Sequence, residues 1–341
     1  MRLSVVMPNR NHAALLPRAL GALRRQTRQP DEIIVIDDAS TDDSREVIRG
    51  FMAQLPQLRM LENPERLGAV GALNRGLREA TGEAVYCAAA DDATDPGFVD
   101  AVLSALEAHP EAALACAEAR VIDDSGAFLG LRPVILPALR ARYFPPPAAA
   151  RLLRQFDNWI LSVVAIYRRD LLLRAGGFDP TLGSFCDSCL ARELALEHGF
   201  AFVRGVFGTW NVQTESYSRR TSTDPEAMPA LIRLAQRRIE EREGQVFPRG
   251  YGRVFARRSR FSAARLAVTA LDFDPAQIRV LAGQGGVTQL VMQAIARWPY
   301  RLRQVAALGW LTLGLRPMSL PRLVLTSVAR RGSSAADRMP Q

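Results

Sequence analysis

Residues 32–38 read EIIVIDD and residues 84–92 read AVYCAAADD, so two apolar runs each end in a pair of aspartates. Short apolar runs rich in β-branched residues are typical of strands buried on both faces, which belong to parallel sheets covered by helices. Ligands of such sheets bind at the carboxyl ends of the strands. Because four carboxylates at one sheet edge repel one another and lose hydration, the pattern predicts a compensating cation, polyol or nucleobase there.

The sequence around these runs predicts strands that alternate with helices. Residues 3–7 are predicted to form a strand that Pro8 ends, and apolar residues recur at helical spacing between residues 14 and 26. The order β-α-β-α-β-α-β through residue 90 predicts an α/β fold with a doubly wound, mostly parallel sheet flanked by helices. From residue 226 onward, arginine-rich amphipathic helices predict a C-terminal helical appendage.

The composition excludes several classes of enzyme. The net charge is +9, and all 44 basic residues are arginines because the sequence contains no lysine. A Walker-type phosphate loop and a pyridoxal phosphate enzyme each need a lysine, so neither fits this chain. Arginine binds phosphate through a bidentate fork, so phosphorylated ligands are still expected.

The cysteines predict neither a metal site nor a redox site. Cys186 and Cys189 form a Cys-x-x-Cys, but Cys87 and Cys116 do not supply the second pair that zinc needs. A redox pair would open a helix after a strand, whereas this pair follows a glycine-rich stretch and is predicted to lie in a loop. We therefore expect reduced thiols.

The sequence favours a cytoplasmic protein, since no run of about 18 apolar residues and no signal peptide is present. The arginines of the C-terminal helices suit peripheral contact with anionic headgroups at the inner face of the membrane. More often, however, arginines on an amphipathic helix simply form its solvent-exposed face. We expect no nucleic-acid partner.

Several spaced motifs resemble, in their order, those of family 2 glycosyltransferases with the GT-A fold. They are SVVMPNRN (4–11), EIIVIDDASTD (32–42), NPERLG (63–68), NRGL (74–77), ATGE (80–83), GGFD (176–179) and CD (186–187). No Gly-x-Gly-x-x-Gly follows the first strand, so a dinucleotide site is disfavoured. The resemblance spans residues 3 to about 218 and implies an inverting, nucleotide-sugar-dependent enzyme.

The resemblance also implies a domain organisation. A GT-A domain would span residues 1–225, with a nucleotide-binding half at 1–93 and an acceptor half at 94–225. The basic helical region would follow at 226–331. A disordered tail is expected at 332–341.

The resemblance assigns the donor nucleotide to the first half of the chain. Asp38 would accept a hydrogen bond from the nucleobase imide, and Pro8, Asn9 and Arg10 would line the pocket for base and ribose. Arg66 would approach the base or the diphosphate.

The second aspartate pair would handle metal and diphosphate. In the family pattern Asp92 would ligate Mg²⁺ or Mn²⁺ held on the diphosphate, and Asp91 would contact the ribose or the metal shell. A hard divalent ion suits oxygen ligands and offsets charge on the leaving diphosphate. Ala89 stands where the family often has a further aspartate, which implies weaker or differently arranged ligation. Taken without the resemblance, Asp91 and Asp92 fit a turn before Pro96 equally well.

The general base implied by the resemblance is Asp187. An inverting displacement needs a carboxylate beside the acceptor hydroxyl, opposite the leaving group. Cys186 replaces the glutamate that usually precedes this base. The alternative for Asp187 is a helix N-cap, and the two roles are compatible.

The remaining site residues are assigned to the pocket for acceptor and sugar. Asn158 and Trp159 would shape that pocket, although a buried tryptophan is more often part of a core. Gln213 stands where the family often has a histidine near the diphosphate.

We predict a metal-assisted transferase of polysaccharide biosynthesis that moves a sugar from a nucleotide diphosphate, with UDP favoured, to a saccharide or lipid-linked acceptor. One alternative is a sugar-nucleotide nucleotidyltransferase. Such an enzyme would need a glycine-rich loop after the first strand, where this chain has PNRN (8–11). The other is a non-catalytic binding module, which the replacements at Ala89, Cys186 and Gln213 make credible.

Overall fold

The computed structural model describes residues 1–157, 159–212, 221–270 and 272–330, with the backbone alone described at residue 320. The strands are β1 (Leu3–Asn9), β2 (Glu32–Asp37), β3 (Leu58–Glu62), β4 (Ala84–Cys87), β5 (Ala93–Thr94), β6 (Leu114–Asp123), β7 (Phe128–Arg132), β8 (Arg142–Phe144), β9 (Ala165–Arg168) and β10 (Phe200–Val212). The helices of the first 200 residues are α1 (Leu16–Arg24), α2 (Ser44–Met52), α3 (Gly68–Glu79), α4 (Phe98–Glu107), α5 (Pro146–Gln155), α6 (Arg169–Arg174) and α7 (Cys186–His198).

These strands form one sheet in the order β3-β2-β1-β4-β9-β6-β10-β5, with β7 beside β6 and β8 beside β10. Strands β3, β2, β1 and β4 are parallel to one another, and β6 is parallel to β10. Strand β9 is antiparallel to both β4 and β6. Six strands therefore share one direction, namely β1, β2, β3, β4, β6 and β10. This confirms the predicted α/β fold with a mostly parallel sheet.

The first strand continues past its predicted end. It runs through Pro8 to Asn9, because both residues pair with β2. The other neighbour, β4, pairs with β1 only as far as Val6. Pro8 thus lies where β1 has one neighbouring strand, β2, and a missing N–H is tolerated at such a position.

Helix α3 packs tightly on the sheet. A Cβ atom at Gly76 would overlap the side chains of Val6 and Ile36, so glycine permits this approach. The N-terminus of α3 lies beside the carboxyl end of β2, because the Gly68 amide donates to the Asp38 carboxylate at 2.8 Å.

The chain divides into two compact units. The first comprises residues 1–151, 158–212 and 324–341, and the second comprises 152–157 and 213–323. The predicted change of character at residue 226 falls inside the second unit, and the tail predicted at 332–341 lies outside the described residues. The remaining helices are α8 (Ala227–Glu240), α9 (Tyr251–Thr269), α10 (Pro275–Ala282), α11 (Gly286–Ile295), α12 (Tyr300–Leu315) and α13 (Leu320–Arg330).

A buried ion pair anchors α9 within the second unit. Arg258 lies 3.3 Å from the Asp157 carboxylate and donates hydrogen bonds to the carbonyls of Leu153 and Pro317. Other buried residues of the same unit, such as Ile232 and Phe255, are apolar. No helix in the described part of the chain combines the length and apolarity needed to cross a bilayer.

Candidate active site

Asp37, at the end of β2, links the end of β1 to the start of α2 through hydrogen bonds. Its buried carboxylate accepts hydrogen bonds from the Asn9 side chain at 3.1 Å, the Ser40 amide at 3.2 Å and the Arg45 guanidinium at 2.8 Å. Burial alone would raise the pKa of Asp37, but these hydrogen bonds outweigh it and lower the pKa below its ordinary value. Asp37 therefore supports the site as a charged carboxylate whose partners are protein groups.

Asp38 links the sheet to helix α3. Its carboxylate accepts hydrogen bonds from the Asn63 side chain and the Leu67 amide, both at 2.7 Å, and from the Gly68 amide at 2.8 Å. A carboxylate has about four acceptor positions. These three donors leave room for roughly one more hydrogen bond, the one that the nucleobase role requires.

The other predicted nucleotide residues surround Asp38. The Arg10 guanidinium donates to the Asp38 carbonyl at 3.1 Å, and the Asp38 amide donates to the Asn9 carbonyl at 2.8 Å. The Asn9 side-chain oxygen is buried and has no hydrogen-bond partner among the described residues. Pro8 is partly buried, whereas Arg66 is exposed in the loop that Asn63 and Leu67 tie to Asp38. The structure thus brings this set together at one edge of the sheet.

Asp91 and Asp92 follow β4 at the same carboxyl edge. Burial raises the pKa of Asp92 well above its ordinary value, and the neighbouring Asp91 charge raises it further. Burial also raises the pKa of Asp91, against the opposing effect of His12 and Arg18. Nearby positive groups thus compensate the charges of Asp91 and Asp92 only in part. Such a pair of carboxylates favours a bound cation.

The end of β10 supplies a further oxygen beside this pair. The Asn211 amide donates to an Asp92 carboxylate oxygen at 2.9 Å. The Asn211 side-chain oxygen is buried without a hydrogen-bond partner among the residues described. Two carboxylates and one free amide oxygen fit a hard divalent ion such as Mg²⁺ or Mn²⁺. Within the described residues, no third acidic, histidine or cysteine side chain completes a metal cluster.

Asp187 reaches the same edge from far along the chain. It lies in the first turn of α7, where the Ser162 hydroxyl donates to one carboxylate oxygen and the Ser188 amide donates to the other at 2.6 Å. Ser162 precedes β9, and because β9 is antiparallel to β4, the start of β9 lies at the carboxyl end of β4. Asp187 is thus a first-turn residue, and the N-cap position belongs to Phe185.

Two buried thiols, Cys87 and Cys186, lie close to Asp187. Burial raises the pKa of Cys87 to about 12, with a contribution from the Asp187 charge, which places Asp187 near the end of β4. Burial likewise raises the pKa of Cys186 to about 12. The prediction that the Cys-x-x-Cys lies in a loop is wrong, because Cys186 and Cys189 are buried in α7. All four cysteines are free.

The predicted pocket for acceptor and sugar needs one correction. Trp159 is fully buried, with its ring against Phe200 at a centroid distance of 5.4 Å. Its ring belongs to the core and has no surface on which a sugar could stack. Asn158 and Gln213 lie outside the described residues.

Sequence reasoning missed three residues that the structure brings to the site: Ser162, Asn211 and Arg18. Ser162 and Asn211 are 25 and 119 residues from the aspartates that they contact, so no local pattern pairs them. The available sequence signal for Arg18 was its position in the first turn of α1, the helix that follows β1.

Comparisons with known proteins identify a family match and a shared fold. The family model for glycosyl transferase family 2 matches residues 4–172. An uncharacterized glycosyltransferase of Nostoc sp. is 36% identical over 107 residues, which are 31% of this chain and 33% of that protein. The chain thus matches about a third of the length of this relative.

Two solved structures share the fold. The TarS protein of S. aureus, residues 1–349 in complex with UDP-GlcNAc, has a TM-score of 0.62 at 15% identity and covers 98% of this chain and 93% of its own. The mannosyltransferase PcManGT of Pyrobaculum calidifontis, in complex with GDP-Man and Mn²⁺, has a TM-score of 0.56 at 22% identity. That match covers 96% of this chain and 84% of the other.

Proposed function

Residues 4–172 of this chain belong to glycosyl transferase family 2, and from that premise we propose that the protein transfers a sugar from a nucleoside diphosphate to an acceptor hydroxyl with inversion. One observation carries the proposal: Asp38, Asp91, Asp92 and Asp187 come from distant segments and converge on the carboxyl edge of the sheet. This edge is where open α/β sheets bind ligands.

The nucleotide is proposed to bind at the ends of β1 and β2. The remaining acceptor position of Asp38 would take the base N–H, and the unpartnered Asn9 oxygen offers a second acceptor. Pro8 and Arg10 would flank base and ribose, and the exposed Arg66 is free to reach the base or the diphosphate. UDP sugars are the first choice of donor. GDP sugars are the second, since PcManGT was solved with GDP-Man.

Asp91, Asp92 and the Asn211 side-chain oxygen would hold a divalent metal ion. When bound, Mg²⁺ or Mn²⁺ supplies positive charge that stabilises the diphosphate as it leaves. The raised pKa values of Asp91 and Asp92 and the buried unpartnered oxygen support this choice of residues. His12 and Arg18 lie close enough to Asp91 for their charges to oppose the rise in its pKa, and they would add positive charge for the diphosphate.

Asp187 is proposed to act as the general base. Its carboxylate would take the proton of the acceptor hydroxyl while the acceptor oxygen bonds to the anomeric carbon. The bond between that carbon and the diphosphate oxygen breaks at the same time, on the opposite face, so the configuration inverts. The hydrogen bonds from Ser162 and Ser188 hold the carboxylate in place for this transfer.

The acceptor is proposed to be a saccharide or a lipid-linked sugar in polysaccharide biosynthesis. The protein would then work in the cytoplasm, at the inner face of the membrane. The arginine-rich helices of the second unit support this placement.

Donor turnover tests the proposal. Wild-type protein is incubated with Mn²⁺ and a panel of UDP and GDP sugars, and release of the nucleoside diphosphate is measured with and without saccharide acceptors. We expect release with at least one donor. The Asp187→Asn variant should lose about 10²- to 10⁴-fold in rate while it still binds donor, and the surface variant Asp170→Asn should match wild type. Binding without turnover in the wild type would indicate the non-catalytic module instead.

A further inference from the structure

Helix α12 is apolar on two opposite faces. Ala307, Leu311 and Leu315 are buried in the second unit. On the other side, Leu302, Val305 and Leu313 are 59%, 72% and 77% exposed. Their spacing, with Gly309 between, places these three side chains on one stripe of the helix. A helix that is apolar all round needs a covering surface on both sides, and the described residues cover only one.

The preceding helix and the connection to it also expose apolar side chains. Val287 and Leu290 of α11 are more than 60% exposed, and Trp298 in the connection is about half exposed. The Trp310 indole donates to the Thr288 hydroxyl at 3.1 Å, so α11 and α12 are joined directly. We call these six exposed side chains the apolar face: Val287, Leu290, Trp298, Leu302, Val305 and Leu313.

The charge around the apolar face has one sign. Residues 275–330 contain seven arginines and no aspartate or glutamate. Arg297 and Arg301 are exposed on either side of Trp298, and no described carboxylate forms an ion pair with them. Such a surface attracts a negatively charged partner, with about 1 kcal/mol expected per arginine close to an anionic membrane.

The charge pattern also favours one of two possible partners for this face, an anionic bilayer over a second copy of the chain. In a symmetric dimer through this face, the same arginine-bearing surface of both copies would meet, and residues 275–330 offer no acidic side chain to pair with those arginines. A bilayer with anionic lipids instead receives the apolar side chains between its headgroups and pairs the arginines with phosphates. Tryptophan also prefers this interfacial depth.

We propose that the apolar face, with Arg297 and Arg301, docks the protein on an anionic lipid bilayer. This inference deepens the proposed placement at the inner membrane face, on which it rests. It does not depend on the proposed transfer reaction. The face lies in α11 and α12, which contain none of the residues assigned to donor, metal or base.

Vesicle sedimentation tests the inference. The full chain is mixed with phosphatidylcholine vesicles with and without phosphatidylglycerol, and bound protein is measured. We expect binding that requires phosphatidylglycerol and falls with salt. The variant Leu302→Gln with Val305→Gln should bind about tenfold less, and so should Arg297→Gln with Arg301→Gln. The matched control Leu129→Gln, an exposed leucine of β7, should bind as wild type.

Three results would overturn the docking surface. One is equal vesicle binding by wild type and both double variants while their circular dichroism shows intact folds. Another is equal binding to neutral and anionic vesicles. The third is a dimer, measured by light scattering without lipid, that the Leu302→Gln and Val305→Gln pair dissociates. Donor binding in solution should be unchanged in every variant, which separates failure here from failure of the proposed transferase activity.

Discussion

Ser162 makes the contact that adds most to the proposed mechanism, because its hydroxyl donates to the carboxylate of Asp187, the proposed base. A free aspartate at a helix start samples several rotamers, whereas the Ser162 hydroxyl and the Ser188 amide hold both oxygens of Asp187. Orientation of this kind contributes to rate without contributing to donor affinity. We therefore propose Ser162 as a positioning residue for Asp187.

The Ser162→Ala variant should lower kcat by about tenfold and leave the KM for the donor within about twofold, because only the base loses its orientation. Ser162→Thr keeps a hydroxyl and should recover most of the lost rate. Steady-state kinetics with the best donor measures both. A rise in donor KM with unchanged kcat would show that Ser162 contributes to binding instead.

Asn211 offers a second test at a single side chain. Its backbone amide holds Asp92, so a substitution of the side chain leaves that hydrogen bond intact. Asn211→Leu should weaken Mn²⁺ binding in the presence of UDP by about tenfold, since one oxygen ligand is lost. Asn211→Asp, which keeps an oxygen, should bind Mn²⁺ at least as well as wild type. Free Mn²⁺, measured by electron paramagnetic resonance, reports the result, and equal affinities in wild type and Asn211→Leu would exclude the ligand role.

Among the elements, the end of α4 is tied to the loop after α1 by an ion pair with a defined pH dependence. The Arg28 guanidinium donates to both Glu107 carboxylate oxygens, at 3.0 and 2.7 Å. This hydrogen bonding lowers the pKa of Glu107 from 4.5 to about 2. A lowered folded-state pKa stabilises the fold above the unfolded-state pKa, and that stability is lost as the pH falls toward 2.

The Glu107→Gln variant should therefore melt below wild type at neutral pH, and the difference should shrink as the pH falls from about 4.5 toward about 2. Glu65→Gln, at an exposed position, serves as the matched control. Thermal melts across this range measure the effect. A difference in melting temperature that is constant with pH would contradict the assignment.

The last helix is fastened to the sheet by a buried carboxylate. Glu118 of β6 is fully buried and forms ion pairs with Arg204 and with Arg330, the latter at 2.7 Å. Arg330 also donates to the Pro133 carbonyl at 2.8 Å. Loss of one partner from a buried pair is costly because the remaining charge stays desolvated.

Arg330→Ala should therefore speed amide hydrogen exchange in residues 324–330 by more than tenfold. The control Val328→Ala changes an exposed side chain of the same helix and should leave the exchange unchanged. If both variants exchange like wild type, the ion pair does not hold this segment.

For the molecule as a whole, the sequence predicted features that local patterns determine, and it missed contacts between residues far apart in the chain. The alternating strands and the two aspartate pairs follow local rules, so the α/β sheet and the position of Asp37, Asp38, Asp91 and Asp92 at strand ends could be predicted. Ser162 and Asn211 became visible only through the sheet order, which places β9 and β10 beside distant strands. Trp159 was misassigned because burial depends on tertiary packing against Phe200.

We propose above all that the acidic carboxyl edge of the sheet binds a nucleoside diphosphate together with a divalent metal ion. Calorimetry of UDP and GDP binding, with and without Mn²⁺, to wild type and to Asp92→Asn tests it most directly. We predict that Mn²⁺ strengthens binding of one nucleotide to wild type by at least about tenfold, and that Asp92→Asn loses this gain. Binding that is independent of Mn²⁺, or a gain that Asp92→Asn retains in full, would contradict the claim.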